Sequence, residues 1–257
     1  MSKKDCGGEL EPKYLTLDRL SWPELSEHMS KGTDLVLIPV GSCEQHGPNG
    51  SFAVDTGRAD GFVTRLAERM YPRALAIPAL PYTLSPHHMN FPGTITLTPE
   101  TFLAVMGEIV DSMYRHGFRK FFFANGHGGN RPVLTILMGQ LREDYPDIEV
   151  AWASFTSVAS DVVTEGIESD THGHACEGEM SQAMYLAPWT VKENRVPGEI
   201  VPGARDADPM GAISPALKFD EITANGALGD ASKASWDFGR DIIETALDRV
   251  EEYLRDF

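Results

Sequence analysis

The chain has 257 residues, 42% of them hydrophobic and 9% aromatic, which is enough to bury a sizeable core as one α/β domain. Its 38 acidic and 22 basic residues give a formal charge of −16, which disfavours nucleic acid and anionic membranes as partners, because both attract basic patches. The N-terminal residues lack the apolar stretch of a secretory signal, and no apolar run approaches the roughly 20 residues that span a bilayer. We therefore expect one cytoplasmic domain over residues 1–257, with a flexible segment at 1–16.

Short aliphatic runs alternate with longer amphipathic ones, a pattern typical of a parallel sheet with helices on its faces. The runs predict strands at 34–40, 75–80, 120–124 and 149–155, and helices at 57–70, 98–116 and 132–144. The order is βαβαβαβ. Thr98, followed by a proline and a glutamate, supplies an N-cap, a proline at the first helical position and early negative charge.

The last third of the chain predicts a helix at 177–186, then loops, then a final helix. Residues 188–231 are rich in Pro, Gly, Asp and Ala, which indicates surface loops that could cover a site as a lid. The C-terminal stretch carries one apolar helical stripe, expected to pack on the sheet as core: Trp236, Ile242, Ile243, Ala246, Leu247, Val250 and Leu254.

Three widely spaced cysteines, Cys6, Cys43 and Cys176, do not form the set expected of a disulfide framework, so reduced thiols are expected. Cys43 and Cys176 stand beside motif carboxylates. We interpret both as small packing residues, with a nucleophilic or ligating role as the alternative.

Three segments far apart in the chain combine glycine with metal-binding side chains. They are Glu44-Gln45-His46-Gly47-Pro48 running to Asp55, Asn125-Gly126-His127-Gly128-Gly129-Asn130, and His172-Gly173-His174-Ala175-Cys176-Glu177-Gly178-Glu179. Carboxylate and imidazole suit Zn, Mn or Fe, whereas a structural zinc site more often uses several cysteines. The first two segments follow predicted strands, and reactive groups of such sheets gather outside the carboxyl ends of the strands. Together the segments predict one two-metal hydrolase site.

The spacing within the motifs suggests how the ligands divide. Glu44 and His46 are two residues apart, so in an extended loop their side chains point to opposite sides and suit different metals. Asp55 can bridge two cations roughly 3.5–4 Å apart, where a bridging water becomes hydroxide near neutral pH. Glu177 and Glu179 diverge by about 200° on a helix, so we expect one ligand and one supporting group.

Each motif taken singly has another interpretation. A lone loop histidine such as His127 is more often a surface residue, and Glu177 with Glu179 can be a solvated charge pair at a helix start. The glycine-rich loop 125–130 can cradle a phosphate, although it lacks the lysine and the spacing of a P-loop. The three motifs together favour the metal site.

These motifs, with Phe91-Pro92-Gly93-Thr94 and Asn225-Gly226-Ala227-Leu228-Gly229-Asp230, resemble the signature of the creatininase (creatinine amidohydrolase) family, in order from about Leu17 onward. The resemblance implies a Rossmann-like three-layer α/β/α sandwich with a mainly parallel central sheet. It also implies two divalent ions, Zn with Mn or Fe, a frequent hexamer, and cleavage of C–N bonds in small amides or cyclic amides by a metal-bridging hydroxide. The alternatives are C–C cleavage that opens an oxidised sugar or inositol ring on the same centre, and a non-catalytic metal- or ligand-binding protein.

The same resemblance assigns roles to individual residues. Glu44, Asp55 and His127 would bind one metal and His46, Asp55 and Glu177 the other, with Asp55 bridging. His174 would carry a proton to the leaving nitrogen, and Glu177 is counted with it among the catalytic residues. Contacts to a small-molecule substrate are expected from His88, Gly128, Gly129 and Asn130.

The chain also departs from the creatinine-cleaving members. They carry a glutamate where this chain has Gly129, and Glu177 is expected to replace that ligand. The tryptophans that enclose creatinine have no counterpart, since the aligned positions fall near Phe155 or Thr156 and Asp170, so creatinine is not the expected substrate.

Other members of the family act on a formamidopyrimidine nucleotide, a mycofactocin precursor or an oxidised inositol, and the sequence does not choose among these substrates. A nucleotide would favour nearby cations, for which Arg58, Arg131 and Arg205 are candidates. The remaining histidines, His28, His87, His116 and His172, are expected to be ordinary surface or loop residues.

Overall fold

The computed structural model describes residues 15–204 and 216–257. In chain order its strands and helices are β1 (Leu15–Thr16), α1 (Trp22–Ser30), β2 (Leu35–Val40), α2 (Val54–Arg69), β3 (Ala74–Ala76), α3 (Pro99–Arg115), β4 (Lys120–Asn125), α4 (Arg131–Asp144), β5 (Glu149–Ser154), α5 (Phe155–Val158), α6 (Ser160–Gly166), β6 (His172–His174), α7 (Glu177–Leu186), β7 (Leu228–Gly229) and α8 (Trp236–Arg255). Within these two ranges, no helix combines the length and apolar character needed to cross a membrane.

Five parallel strands form the central sheet in the order β1-β3-β2-β4-β5. Val40 at the end of β2 pairs with Asn125 of β4, which pairs with Ser154 of β5, so these three carboxyl ends are level. The loops that leave this edge carry the motifs at 44–55 and 125–130. The topology therefore brings the first two motifs together, as the strand order of an open α/β sheet predicts.

Alternate residues of the central strand face two separate cores. Leu35 and Leu37 pack with residues of α2 and α8, whereas Val36 and Ile38 pack with residues of α3 and α4. Helices thus cover both faces of the sheet, and the predicted three-layer α/β/α sandwich with a parallel central sheet is confirmed.

Three sequence-based expectations about the elements need correction. β3 ends at Ala76 rather than at residue 80, because Pro78 has no N–H to continue the ladder. Leu15 and Thr16, expected in a flexible segment, pair with β3 as an edge strand, while residues 1–14 lie outside the described ranges. Trp236 is 46% exposed at the start of α8, although the other six residues of the predicted stripe are buried.

Helix α7 begins and ends where the sequence predicts, and the segment before it forms an unpredicted strand. β6 pairs antiparallel with β7, which joins the third motif to the 225–230 motif. Gly229 has a φ of +125°, and a Cβ there would lie 2.5 Å from Cys176 Cβ, so this contact requires glycine. The pairing fixes the strand that carries His174 over the carboxyl edge of the sheet.

Candidate metal centre

Loops and helix starts at the carboxyl edge of the sheet supply the buried polar cluster. Glu44 and His46 lie on the loop after β2, His127 follows β4, and Asp55 and Glu179 stand in the first turns of α2 and α7. A helix start is a favourable position for a carboxylate because the helix dipole is positive there. All but Glu179 are buried.

Asp55 lies between two groups of donor atoms. Its Oδ1 is 3.5 Å from His46 Nε2, and its Oδ2 is 3.2 Å from His127 Nδ1. His127 Nδ1 is also 3.1 Å from Glu44 Oε1, and His46 Nε2 is 3.8 Å from Glu179 Oε2. Ligand atoms about 2.1 Å from a tetrahedral ion are roughly 3.4 Å apart, and these four separations lie close to that value. Among the described residues, three groups have ligand atoms that all lie within 4.8 Å of one another: His46 with Asp55 and Glu179, Glu44 with His46 and His174, and Glu44 with His87 and His127.

The hydrogen bonds of the two histidines orient their free nitrogens toward the carboxylates. His127 Nε2 donates to the Leu84 carbonyl at 2.9 Å, and His46 Nδ1 donates to the Glu44 carbonyl at 3.1 Å. The opposite nitrogens, Nδ1 of His127 and Nε2 of His46, are then lone-pair donors. His46 Nε2 and Asp55 Oδ2 are buried without a hydrogen-bond partner, which is costly unless a cation binds there. The residues present therefore fit a divalent metal ion.

The electrostatics of the cluster favour positive charge. Burial opposes ionisation of Asp55, but His46 and His127 outweigh it and hold the pKa of Asp55 well below its usual range. Burial also opposes protonation of the two histidines, yet the carboxylates prevail, raising the pKa of His46 to about 9 and that of His127 well above its usual value. The carboxylates of Glu44, Asp55 and Glu179 thus stabilise protons on the two histidines, and bound metal ions can replace these protons.

Glu179, not Glu177, lies in the second donor group. His46, Asp55 and Glu179 present ligand atoms within 4.8 Å of one another. The Glu177 carboxylate points away and accepts bonds from Glu168 N at 3.1 Å and from Ser169 N at 2.9 Å, and it also contacts Ser169 Oγ. The geometry therefore contradicts the expectation that Glu177 is a ligand: its carboxylate secures the loop before β6.

Arg58 contacts this second group, of His46, Asp55 and Glu179, through two of its carboxylates. Its guanidinium donates to Glu179 Oε1 at 2.5 Å and to Gln182 Oε1 at 2.8 Å, and lies 3.4 Å from Asp55 Oδ1. Arg58 is 3% exposed, so it is a buried counter-ion and not the substrate-facing cation considered from the sequence. Burial favours protonation of Glu179, but Arg58 and His46 outweigh it and lower the pKa of Glu179. Of the other two candidate cations, Arg131 is exposed and Arg205 lies outside the described residues.

His174 faces the space between the two donor groups. Its Nε2 donates to the Gln45 carbonyl at 2.7 Å, while Nδ1 lies 3.5 Å from Glu44 Oε1 and 3.8 Å from Glu179 Oε2. Burial and the neighbouring His46 outweigh the carboxylates and lower the pKa of His174. A neutral imidazole with a lone pair toward the centre can accept a proton there.

The predicted substrate contacts take different positions. His88 is buried, accepts from Gln45 Nε2 at 2.7 Å and lies 3.7 Å from Glu44 Oε2. Gly128 and Gly129 begin a 3₁₀ turn (Gly128–Asn130) beside His127. The Asn130 amide donates to Gly41 O and Asn125 Oδ1 and accepts from Leu84 N, so it secures the loops under the site rather than facing a ligand.

Sequence reasoning missed two residues at the mouth of the site. The Phe219 ring packs on His88 at 4.2 Å and edge-on to His174 at 4.9 Å between centroids. His87, expected to be an ordinary loop residue, places a ring nitrogen within 4.8 Å of ligand atoms of Glu44 and His127. Burial lowers the pKa of His87 to about 4. The pair of adjacent histidines at 87 and 88 could have indicated that His87 belongs to the site, whereas no sequence motif marks Phe219.

Phe155 and Thr156, at the position aligned with one tryptophan of creatinine-cleaving members, are not at the mouth of the site. Phe155 stacks on Phe62 inside the core, and Thr156 donates to Gln182 behind the centre. Cys43 and Cys176 are absent from the candidate ligand groups of the described residues, and Cys176 Sγ contacts His172 Nδ1 at 3.5 Å.

A parallel α/β sheet with a carboxylate–imidazole cluster at its carboxyl edge is an architecture that metal-dependent hydrolases use. The model of the Creatininase family, described as creatinine amidohydrolase, matches residues 18–254. The chain therefore belongs to the creatininase family, and the relatives below are named as hydrolases of several kinds.

Three curated relatives illustrate this range. A mycofactocin precursor peptide peptidase of Mycobacterium ulcerans (strain Agy99) is 30% identical over 223 residues, covering 83% of this chain and 81% of the relative. A 3-dehydro-scyllo-inosose hydrolase of Thermotoga maritima is 28% identical over 268 residues, covering 95% and 84%. A creatinine amidohydrolase of Pseudomonas putida is 25% identical over 260 residues, covering 95% and 97%.

Solved structures of creatininase share the fold. A crystal structure of creatinine amidohydrolase has a TM-score of 0.78 and 25% identity, covering 94% of this chain and 97% of the other. A structure described as the Mn form of creatininase has a TM-score of 0.76 and 25% identity, covering 95% and 98%.

Proposed function

We propose that the chain is a binuclear metal-dependent hydrolase that cleaves a C–N bond in a small amide or cyclic amide. The observation that carries this proposal is the position of Asp55, whose two oxygens face His46 and His127 respectively. A carboxylate placed in this way is the bridge that a two-ion hydrolase needs. Amidohydrolase and peptidase, the names of two of the relatives, both denote enzymes that cleave C–N bonds.

In this proposal Glu44, His127 and Asp55 would hold one ion, and His46, Glu179 and Asp55 would hold the other. Zn with Mn or Fe suits these donors, and a related structure is described as an Mn form. When bound, two such ions lower the pKa of water and polarise a carbonyl group. The Leu84 and Glu44 carbonyls keep each histidine in the tautomer that presents its lone pair to the centre.

His174 moves the proton. The Gln45 carbonyl holds its Nε2–H, so Nδ1 is the nitrogen that accepts a proton from the attacking water and then donates it to the departing nitrogen. The Gln45 side chain supports this geometry by donating to the Gly226 carbonyl at 3.0 Å and to His88. The Phe219 ring is tilted against His88 and lies edge-on to His174, so it covers part of both imidazoles.

Product analysis tests the bond that is cleaved. Protein loaded with zinc or manganese is incubated with small amides, lactams and short peptides, and released ammonia or amine is measured. A His174→Asn variant and chelator-treated protein are the controls, because both must lose the activity if the centre is responsible. Amine release that survives both controls would contradict the proposal.

Ring opening by C–C cleavage is the second candidate, favoured by the similarity to the inosose hydrolase over 95% of this chain. Incubation of cyclic polyol diketones in H₂¹⁸O separates the two, because ring opening gives an ¹⁸O-labelled acid and no amine. Two bound ions without turnover of either class would favour a binding protein. A cytoplasmic location and the homo-oligomer, a hexamer by family resemblance, also belong to this proposal, and light scattering after gel filtration measures the assembly.

A further inference from the structure

His87 lies beside the Glu44 and His127 donor atoms, on a 3₁₀ turn (Pro86–His88) that follows β3. A ring nitrogen of His87, a carboxylate oxygen of Glu44 and a ring nitrogen of His127 all lie within 4.8 Å of one another. The planes of the two imidazoles are inclined by only 10°, with centroids 5.8 Å apart. Both rings thus lie beside Glu44, and the three residues form a group that could hold a metal ion.

The imidazole of His87 has no hydrogen bond to any other residue in the described part of the chain, although the other imidazoles of the site are all engaged. His46, His127 and His174 each donate to a backbone carbonyl, and His88 accepts from Gln45. A half-buried imidazole gains nothing from remaining unpaired. Its nitrogens are therefore available to a ligand.

Gly129 provides the space that His87 occupies. A Cβ at this position would lie 3.0 Å from His87 Cε1, 2.4 Å from His127 Nε2 and 2.5 Å from the Leu84 carbonyl oxygen. Any side chain there would displace His127 or close the gap between the two histidines. Glycine at position 129 thus leaves the room that the imidazole of His87 needs beside His127.

We propose that His87 is an additional protein ligand of the ion held by Glu44, His127 and Asp55. This inference rests on the proposed binuclear centre. The group of Glu44, His87 and His127 would then offer three protein donors on this side, as the group of His46, Asp55 and Glu179 does on the other.

The test is zinc binding by the full-length protein and its His87→Ala variant, with His116→Ala as the matched control. His116 is an exposed histidine at the end of α3, remote from the site. Competition with a chromophoric chelator gives the affinity of each ion, and zinc X-ray absorption gives the average number of imidazoles per ion. The expected result is an at least roughly tenfold weaker affinity for one ion in His87→Ala, with no change in His116→Ala.

X-ray absorption of the fully loaded proteins gives a second readout. The proposal predicts about half an imidazole less per zinc in His87→Ala, because one ligand is lost from a pair of ions. Unchanged affinity and unchanged imidazole count would overturn the proposal, even if turnover fell, since His87 would then contact only substrate. The His87→Gln variant, which keeps the bulk of the side chain, must weaken binding as well; normal affinity in His87→Gln would also overturn it. Failure of the unaltered protein to bind two ions would instead reject the binuclear centre itself.

Discussion

Exchanging Glu177 and Glu179 separately for glutamine distinguishes a ligand from a structural carboxylate two residues away. The two side chains share the first turn of α7 and differ in what they face. Glu179 lies beside His46 and Asp55, whereas Glu177 accepts hydrogen bonds from the loop at residues 168 and 169. Each variant therefore serves as the matched control for the other.

The expected magnitudes follow from these contacts. Glu177→Gln keeps one acceptor oxygen but turns an NH₂ group toward backbone N–H donors. About one hydrogen bond to a charged group is therefore lost, and one buried N–H donor is left without an acceptor. We expect the free energy of unfolding to fall by about 2 to 3 kcal/mol and Tm by roughly 4 to 12 °C, with both ions retained. Glu179→Gln removes a ligand and should weaken the binding of one ion at least roughly 100-fold, equivalent to about 2.8 kcal/mol.

Elemental analysis after dialysis and thermal unfolding in chelator measure the two effects independently. We predict two ions per chain in Glu177→Gln and one in Glu179→Gln. The opposite pattern, with an ion lost from Glu177→Gln and two retained in Glu179→Gln, would refute the placement of α7 against the site.

Three further predictions concern proton transfer, pH and the buried arginine. His174→Asn should keep both ions and lower kcat by roughly 10²- to 10⁴-fold, with metal content measured on the same samples. Loss of an ion from this variant would show that His174 is a metal ligand. Because the pKa of His46 is raised to about 9, metal binding at neutral pH must displace a proton, so zinc affinity should rise with pH up to about 9. Calorimetry in buffers of different ionisation enthalpy counts the released proton, and a pH-independent affinity would exclude this competition. Arg58→Met should lower Tm more in chelator than with zinc, because the carboxylates of Asp55 and Glu179 then lack their buried counter-ion. Arg65→Met, on the same helix but stacked on Tyr185, should not enlarge the zinc-induced rise in Tm.

The periodicity of the sequence was sufficient to predict the layers of the fold. Apolar runs of strand length and amphipathic runs of helix length gave the central strands and the long helices within a few residues, and the strand order placed two motifs at one edge. The short strands were harder to predict. β6 and β7 have two or three residues each and depend on pairing across more than 50 residues, so no local pattern marks them.

The choice between Glu177 and Glu179 could not be made from spacing. Spacing shows that the two side chains diverge, but the rotation of α7 decides which one faces the centre. That rotation depends on tertiary packing, including the close approach of Gly239 in α8 to the Ser181 carbonyl, where a Cβ would lie 1.8 Å away. His87 and His88 pose the same problem on a 3₁₀ turn, because neighbouring residues of a turn face different directions.

The number of divalent ions per chain, measured by elemental analysis on protein purified without chelator, tests the central claim most directly when Asp55→Ala is analysed beside it. The proposed bridging role of Asp55 predicts about two ions in the unaltered protein and the loss of both, with all turnover, in Asp55→Ala. Two tightly bound ions and normal turnover in Asp55→Ala would contradict the bridge, and a chain that binds no ion when supplied with zinc or manganese would contradict the metal centre as a whole.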